Sequence, residues 1–310
     1  MKTVRALTLQ TYGGIDAARI TDVAAPLAAP GQVLVSVRAA GLNGLDWKLR
    51  EGLVRDAFPI ALPAVLGIEL AGVVEAVGAG VTRFRAGDRV MGALGRLGAY
   101  AGLVAVDEAC LAPTPDGLDD LTAAAIPVAA LTAWQGLDMG GPVWGGQWVL
   151  IHGAAGGVGA FAVQFAKRMG VFVAATAAGR DAEAVRALGA DVVVDYETQR
   201  FETQLNNIDL VLDPVGGEVL DRSWQVLSKT GMVVSTASPD ILTRTPAGRR
   251  GLWFVMKRDA ALLERLANRV AQGELRARVG AVVPFAELPA AIERLRAGAS
   301  HGKVVVDFTA

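Results

Sequence analysis

Hydrophobic positions follow two different rhythms along the chain. Up to about residue 121 they alternate with polar positions in short runs: "QVLVSVRAAG" (32–41), "AGVVEAVGAGV" (71–81) and "FRAGDRVMG" (84–92), each bounded or interrupted by glycine. A period of two predicts strands, and the glycines predict bends, bulges and turns between them. This part reads as an all-β or barrel-like domain. Beyond it, the apolar segments "WVLIH", "VFVAAT", "DVVVD", "IDLVLD" and "MVVST" alternate with helical patterns, among them ones beginning near Gly157, Asp181 and Gly217. Repeated strand–helix–strand units predict a parallel sheet covered by helices. "LTAAAIPVAALTAWQGL" (121–137), rich in alanine and interrupted by Pro127, is too short and weak for a membrane span and predicts a buried helix. "RDAALLERLANRVAQGEL" (258–275) is an amphipathic helix. The closing helix and strand, "FAELPAAIERLRAG" and "HGKVVVDF", are assigned to the first domain, because the parallel sheet is complete at "MVVST". The expected organisation is 1–121, 122–257, and a return to the first domain over 258–310.

Composition adds exclusions. A length of 310 residues suits two domains, and 52% hydrophobic residues supply a large core. A net charge of -1 gives no basic footprint for nucleic acid. The one cysteine, Cys110, leaves no intramolecular disulfide and fits a reducing cytoplasm. The start "MKTVRALTLQTYGG" lacks the apolar core of a secretion signal. A cytoplasmic protein with no membrane or nucleic-acid partner is expected.

The candidate chemistry begins at "HGAAGGVG" (152–159), where Ala154 to Gly159 read A-x-G-x-x-G between a strand and a helix. That pattern fits a dinucleotide turn formed by Gly156, Gly157, Val158 and Gly159. Gly156 lets backbone approach a pyrophosphate, Gly159 lets the helix pack close, and the helix N-terminus supplies N–H groups and a positive dipole end. The alternative is a tight turn with no ligand. At the end of the second strand, "AATAAGRDAEAV" holds no acid before Asp181, and Arg180 precedes it. An arginine suits a 2′-phosphate, which favours NADPH. The rival reading makes Asp181 the partner of a ribose hydroxyl and the cofactor NADH. "DPVGG" (213–217) and "STAS" (235–238) follow the fourth and fifth strands, and such carboxyl-end loops face the ligand crevice of an open α/β sheet. They bring Val215 and Ser235 into the cofactor-binding set, with Thr176 from the end of the second strand.

Together with "AAGLNGLDWKLREG", "LPAVLGIELAGVVEAVGAGVTRFRAGDRVMG", "IPVAALTAWQGL", "LGADVVVDY" and "LDPVGG", these strings resemble, in the same order and over nearly the whole length, the zinc-independent quinone oxidoreductase group of the medium-chain dehydrogenase/reductase superfamily. The resemblance implies an α/β fold: a Rossmann doubly wound parallel sheet, a GroES-like β-barrel catalytic domain, a cleft between them, and a homodimer formed through the Rossmann sheets. It places Asn43 at the nicotinamide ribose or the substrate oxygen, Thr132 at the nicotinamide ring, Lys303 near the pyrophosphate with Glu69 as its partner, and Tyr196 at the 2′-phosphate or adenine. Relatives commonly carry a serine at the position of Ala178 that bonds the 2′-phosphate, so its loss leaves more of that task to Arg180. Of Trp47, Trp134 and Trp253, one is expected to wall an apolar acceptor site, and Trp47 is assigned to it.

Zinc members of this superfamily carry a cysteine where Asn43 stands and a histidine where Ile68 stands. A catalytic zinc needs about three protein ligands around one point. The only N and S candidates, Cys110, His152 and His301, are scattered along the chain. No metal is therefore expected, and without a Lewis acid the acceptor must delocalise the charge it receives. The expected activity is zinc-independent, NADPH-dependent hydride transfer to a quinone or an activated alkene (enone or enal). Tyr100 and Asp46 are the side chains available for proton transfer. Both match structural positions of the barrel, so a water is the expected proton source. Two other readings stay open: a non-catalytic dinucleotide-binding protein with a structural or regulatory role, and an enoyl-thioester reductase.

Overall fold

The alternating runs are strands. In chain order they are β1 (Thr3–Leu9), β2 (Ala18–Ala24), β3 (Gln32–Gly41), helix α1 (Gly44–Glu51), β4 (Ala64–Val65), β5 (Glu69–Val77), β6 (Arg89–Ala93), β7 (Leu103–Asp107) and β8 (Leu111–Pro113). The computed structural model describes residues 2–141, 144–298 and 301–310. The expected single helix over 121–137 is two helices, α2 (Asp120–Ala124) and α3 (Pro127–Met139). Pro127 is the reason: it lacks an N–H to continue α2, and its fixed φ suits the first position of α3.

Then follow β9 (Trp148–Ile151), α4 (Gly157–Arg168), β10 (Phe172–Ala177), α5 (Ala182–Ala187), β11 (Val192–Asp195), β12 (Ile208–Asp213), α6 (Glu218–Ser223), β13 (Leu227–Ser235), α7 (Ile241–Arg244) and β14 (Arg250–Trp253). These six strands form one parallel sheet in the order β11-β10-β9-β12-β13-β14. The order reverses between β9 and β12, which makes it a doubly wound Rossmann sheet with its switch point at the end of β9. The sheet is not complete at "MVVST": β14 adds a sixth strand on the edge. Its four residues, "RGLW", are too short and too polar to show an apolar run. Leu150, Ala174, Val194, Val211 and Val233, one from each of the other five strands, share one core with Leu220 and Trp224 of the α6 region.

The chain closes with α8 (Ala260–Ala271), β15 (Val279–Pro284), α9 (Leu288–Arg296) and β16 (Lys303–Asp307). β16 lies between β15 and β3 in a seven-stranded sheet, β15-β16-β3-β5-β6-β8, with β7 also paired to β3, and β2-β1-β4 form a smaller sheet. Val33, Val35 and Val37 point to one side of β3 and pack with Leu70, Val74 and Leu111. Val304 and Val306 of β16 pack with Leu7, Leu9, Leu288 and Ile292. The chain thus divides into two compact units, Met1–Val128 with Arg258–Ala310, and Ala129–Lys257. No helix among the described residues is long and apolar enough to cross a membrane.

Candidate functional site

In the second unit, β9 runs into a turn tightened by two backbone bonds, Ala154 N–H to Thr176 O (2.9 Å) and Gly156 N–H to Gly153 O (2.9 Å). Gly153 sits at φ 57°, where a side chain would be strained. A Cβ on Gly159 would fall 2.3 Å from Gly153 O and 2.6 Å from Ala154 Cα, so only glycine lets α4 start this close to the turn. Gly156 is the N-cap of α4, no side chain caps the helix, and its first turn holds no acid. The leading N–H groups of such a helix lack intrahelical partners and attract an anion. Gly156, Gly157, Val158 and Gly159 therefore fit a dinucleotide pyrophosphate.

Thr176 stands behind this turn rather than on it. It is buried, and its hydroxyl accepts from Gly153 N–H (3.3 Å) and lies 3.1 Å from His152 Nδ1. On the other side of the imidazole, Nε2 lies 2.9 Å from Ser223 Oγ, which itself donates to Val219 O (2.7 Å). Ser223 has thus spent its hydrogen, so Nε2 carries the imidazole proton and Nδ1 accepts from Thr176. The chain of bonds anchors the glycine turn. Ser235 is likewise inward: fully buried, its hydroxyl oxygen lies 3.0 Å from Asp213 O and 3.1 Å from Oδ2. Asp213 Oδ1 in turn accepts from Val215 N–H and Gly216 N–H, both at 2.9 Å, and so builds the turn that leaves Val215 exposed. The hydroxyls of Thr176 and Ser235, both expected at the cofactor, thus bond inward, to His152 and to Asp213. An Asp just before a Pro-Val-Gly turn was the available signal for the role of Asp213.

At the ends of β10 and β11, Tyr196 is exposed and its N–H donates to Ala177 O (3.1 Å). Partial burial pushes its hydroxyl pKa up, and Glu197 adds to the effect. Arg180 Nη1 donates to Glu197 Oε1 at 3.1 Å. Asp181, the rival partner for a ribose hydroxyl, is only 5% exposed, which favours Arg180 over it as the group facing a nucleotide. Trp134 packs edge-on against Phe165 (5.3 Å between centroids), and Trp253 packs on the sheet core; both serve the interior of this unit. Thr132 is buried on α3.

The first unit holds a buried polar cluster. Glu69, fully buried, accepts from Lys303 Nζ (2.5 Å), Asn43 Nδ2 (2.9 Å) and Val128 N–H (2.7 Å). Gly41 makes room for this carboxylate, since a Cβ there would fall 2.4 Å from Glu69 Oε1. Lys303 also donates to Asn43 Oδ1 (2.6 Å), and Asn43 Nδ2 reaches Gly41 O (3.3 Å). Lysine only donates and carboxylate only accepts, so the orientation of the Asn43 amide is set. Both amide hydrogens are used, and Oδ1, which takes the Lys303 bond, also faces the Asp46 N–H in a capping box at the start of α1. In this arrangement Asn43 has no free amide hydrogen to donate to a substrate oxygen. Lys303 is turned to Asn43 and Glu69 and is buried, 5% exposed. Asp46 Oδ2 accepts from Asn43 N–H (2.7 Å) and from the Tyr100 hydroxyl (2.6 Å), while Oδ1 has no partner. Tyr100 is fully buried, and burial followed by the Asp46 charge holds its pKa well above the usual value. Trp47 is half-buried against the first unit's core, with the Lys48 ammonium 5.6 Å from its ring centroid.

The titration of two buried groups carries opposite consequences. Burial pushes Asp46 up to about 6, against the pull of the Tyr100 and Asn43 bonds. The folded carboxyl then holds a proton that the unfolded one loses, so this contribution to the first unit is present below about pH 4 and lost as pH rises through about 6. Burial pushes His152 down to about 4, with Asp213 and Glu202 pulling it up and Arg222 adding to the depression. Its contribution to the second unit is present above about pH 6.5 and lost as pH falls through about 4. Each is on the order of 3 kcal/mol. Urea unfolding followed by tryptophan fluorescence, to which Trp134, Trp148, Trp224 and Trp253 of the second unit contribute, is expected to shift to lower urea between about pH 6.5 and pH 4.5. His152→Gln is expected to shrink that shift; an equal shift in parent and variant would assign it to other groups.

Comparison with known proteins agrees with this geometry. Residues 29–116 match the family model described as alcohol dehydrogenase GroES-like domain, and residues 188–306 match the one described as zinc-binding dehydrogenase. A 2-methylene-furan-3-one reductase of Solanum lycopersicum is 34% identical over 98% of this chain and 79% of its own length. An NADPH-dependent alkenal/one oxidoreductase of Arabidopsis thaliana is 33% identical over 98% of this chain and 80% of its own. The solved structure of a quinone oxidoreductase from Coxiella burnetii is 31% identical and superposes with a TM-score of 0.93 over 99% of both chains. With the doubly wound sheet, the glycine turn and these relatives in hand, the chain belongs to the medium-chain dehydrogenase/reductase superfamily, in its quinone oxidoreductase group.

Proposed function

We propose that this protein is a zinc-independent, NADPH-dependent oxidoreductase that reduces quinones or activated alkenes (enones and enals). The observation that carries the proposal is the tight glycine turn leading into an uncapped α4 at the switch point of the sheet, in a chain 33% identical to an NADPH-dependent alkenal/one oxidoreductase. In this reading the backbone of Gly156, Gly157, Val158 and Gly159 holds the pyrophosphate. Arg180 and Tyr196 take the 2′-phosphate end, and Val215 packs on the adenosine. Asn43, held by Lys303, lies at the nicotinamide ribose. Thr132 serves the nicotinamide and Trp47 the apolar acceptor. When bound, NADPH supplies the hydride that reduces the acceptor. The protein's own contribution is positioning and exclusion of water.

The ligand inventory supports zinc independence: among the described residues no group of three or more His, Cys, Asp or Glu is placed to hold a metal ion. An acceptor whose own conjugation spreads the developing charge suits such a site. Among the described residues no strand pairs with the outer edge of β14, which supports a homodimer joined through the Rossmann sheets, and the single cysteine suits a cytoplasmic protein. The test is NADPH and NADH oxidation against a panel of quinones, enones and enals. Turnover with at least one of these classes is expected, unaffected by a metal chelator. Tight NADPH binding with no turnover on any of them would favour a non-catalytic nucleotide-binding role.

A further inference from the structure

We infer that Glu197 opposes Arg180 in the choice of nucleotide, so that the pair sets how strongly NADPH is preferred over NADH. This rests on the proposed reading of Arg180 as the group that meets a 2′-phosphate.

Ala177 of β10 lies beside Asp195 of β11, so the turns that leave the two strands sit side by side at the carboxyl end of the sheet. Arg180 belongs to the first turn and Glu197 to the second. The second is a built turn. Asp195 Oδ1 accepts from Glu197 N–H (3.0 Å), Oδ2 accepts from Thr198 Oγ1 (2.9 Å), and Asp195 O accepts from Gln199 N–H (2.8 Å). An aspartate that bonds the backbone two residues on locks such a turn. The Glu197 carboxylate is thereby held against the Arg180 guanidinium, 3.1 Å away, with both side chains about half exposed (43% and 51%) and within reach of a ligand.

The charges around this pair are unequal. Asp195 also presses on the first turn, since a Cβ on Gly179 would fall 2.7 Å from its Oδ2. Glu197, Asp181 and Asp195 act on the Tyr196 hydroxyl in one direction and Arg180 in the other. A 2′-phosphate brings close to two negative charges. To bond Arg180 it must share the guanidinium with Glu197 at the cost of like-charge repulsion. A ribose 2′-hydroxyl instead donates to a carboxylate, the role of the acid at this strand end in NAD sites. Arg180 therefore favours NADPH, Glu197 favours NADH, and the parent protein is expected to bind both.

The test is calorimetric titration of the full chain with NADPH and with NADH, no acceptor present, read as the ratio of the two Kd values. Glu197→Gln is expected to tighten NADPH about five-fold and to weaken NADH about two-fold. Glu197→Ser is expected to move the ratio the same way, and Glu197→Asp, which keeps the charge, to move it less. A ratio unchanged in Glu197→Gln and Glu197→Ser, with NADPH weakened in Arg180→Gln, would overturn the inference and leave the Arg180 reading standing. A ratio unchanged in Arg180→Gln as well would remove the reading on which the inference rests.

Discussion

Lys303→Met is expected to cost the first unit about 3–5 kcal/mol of stability. The Lys303–Glu69 pair is buried on both sides, with side-chain exposures of 6% and 0%, so solvent screening does little to discount it. Removing the ammonium leaves Glu69 with Asn43 Nδ2 and Val128 N–H as neutral donors for a full charge. It also removes the cation that draws the Asp46 pKa down, so Asp46 shifts further up and two carboxylates share one dry region. The double variant Lys303→Met with Glu69→Gln removes the stranded charge and is expected to recover about half of the loss. Chemical denaturation of the three proteins at neutral pH measures this. A loss below about 1 kcal/mol in the single variant would mean that water reaches Glu69, and the description of the cluster as closed would fail.

Gly159→Ala is expected to weaken NADPH binding about 100-fold, a loss of the size that a misplacement of about 1 Å brings to a positioned group. The added methyl meets backbone only: Gly153 O at 2.3 Å, Ala154 Cα at 2.6 Å and Gly153 C at 2.8 Å. No side chain can rotate away, so the turn or the first residues of α4 must move. Either movement displaces the N–H groups proposed to hold the pyrophosphate. The bonds anchoring the turn from behind, Gly153 N–H to Thr176 and Ala154 N–H to Thr176 O, are strained by the same shift. A stability loss of about 1–3 kcal/mol should accompany it, as for other overpacked sites. Calorimetric titration with NADPH, with circular dichroism as a check on folding, decides. A folded variant within about three-fold of the parent affinity would refute the role given to this glycine.

What the chain discloses before folding depends on the range over which each feature is determined. The parallel strands read as apolar runs because both faces of the sheet are covered, and the glycine turn reads directly because its geometry admits no other residue at Gly159. The break at Pro127 was also present in the sequence, as a proline inside a helical pattern. β14 was hidden because an edge strand of four residues needs no long apolar run. Thr176 and Ser235 end strands at the crevice, the position from which ligand contacts are expected. Their side chains turn inward to His152 and Asp213, an orientation that spacing along one strand does not reveal. The cluster of Asn43, Glu69 and Lys303 unites three distant segments through the pairing of β16 and β5 with β3. Resemblance supplied its members, while the saturation of the Asn43 donors emerged only from their mutual distances.

The interior place of β16 also sets an order of events during synthesis. Ala129–Lys257 is continuous, so its six strands have all left the ribosome before residue 258 appears, and domains fold as units while the chain emerges. The first unit must wait for Lys303–Asp307 to fill the position between β15 and β3. Until then Ala39, Ala40 and Gly41 of β3 lack their partners in β16. The nucleotide-binding unit is therefore finished before the other unit, whose sheet closes only when its last strand arrives.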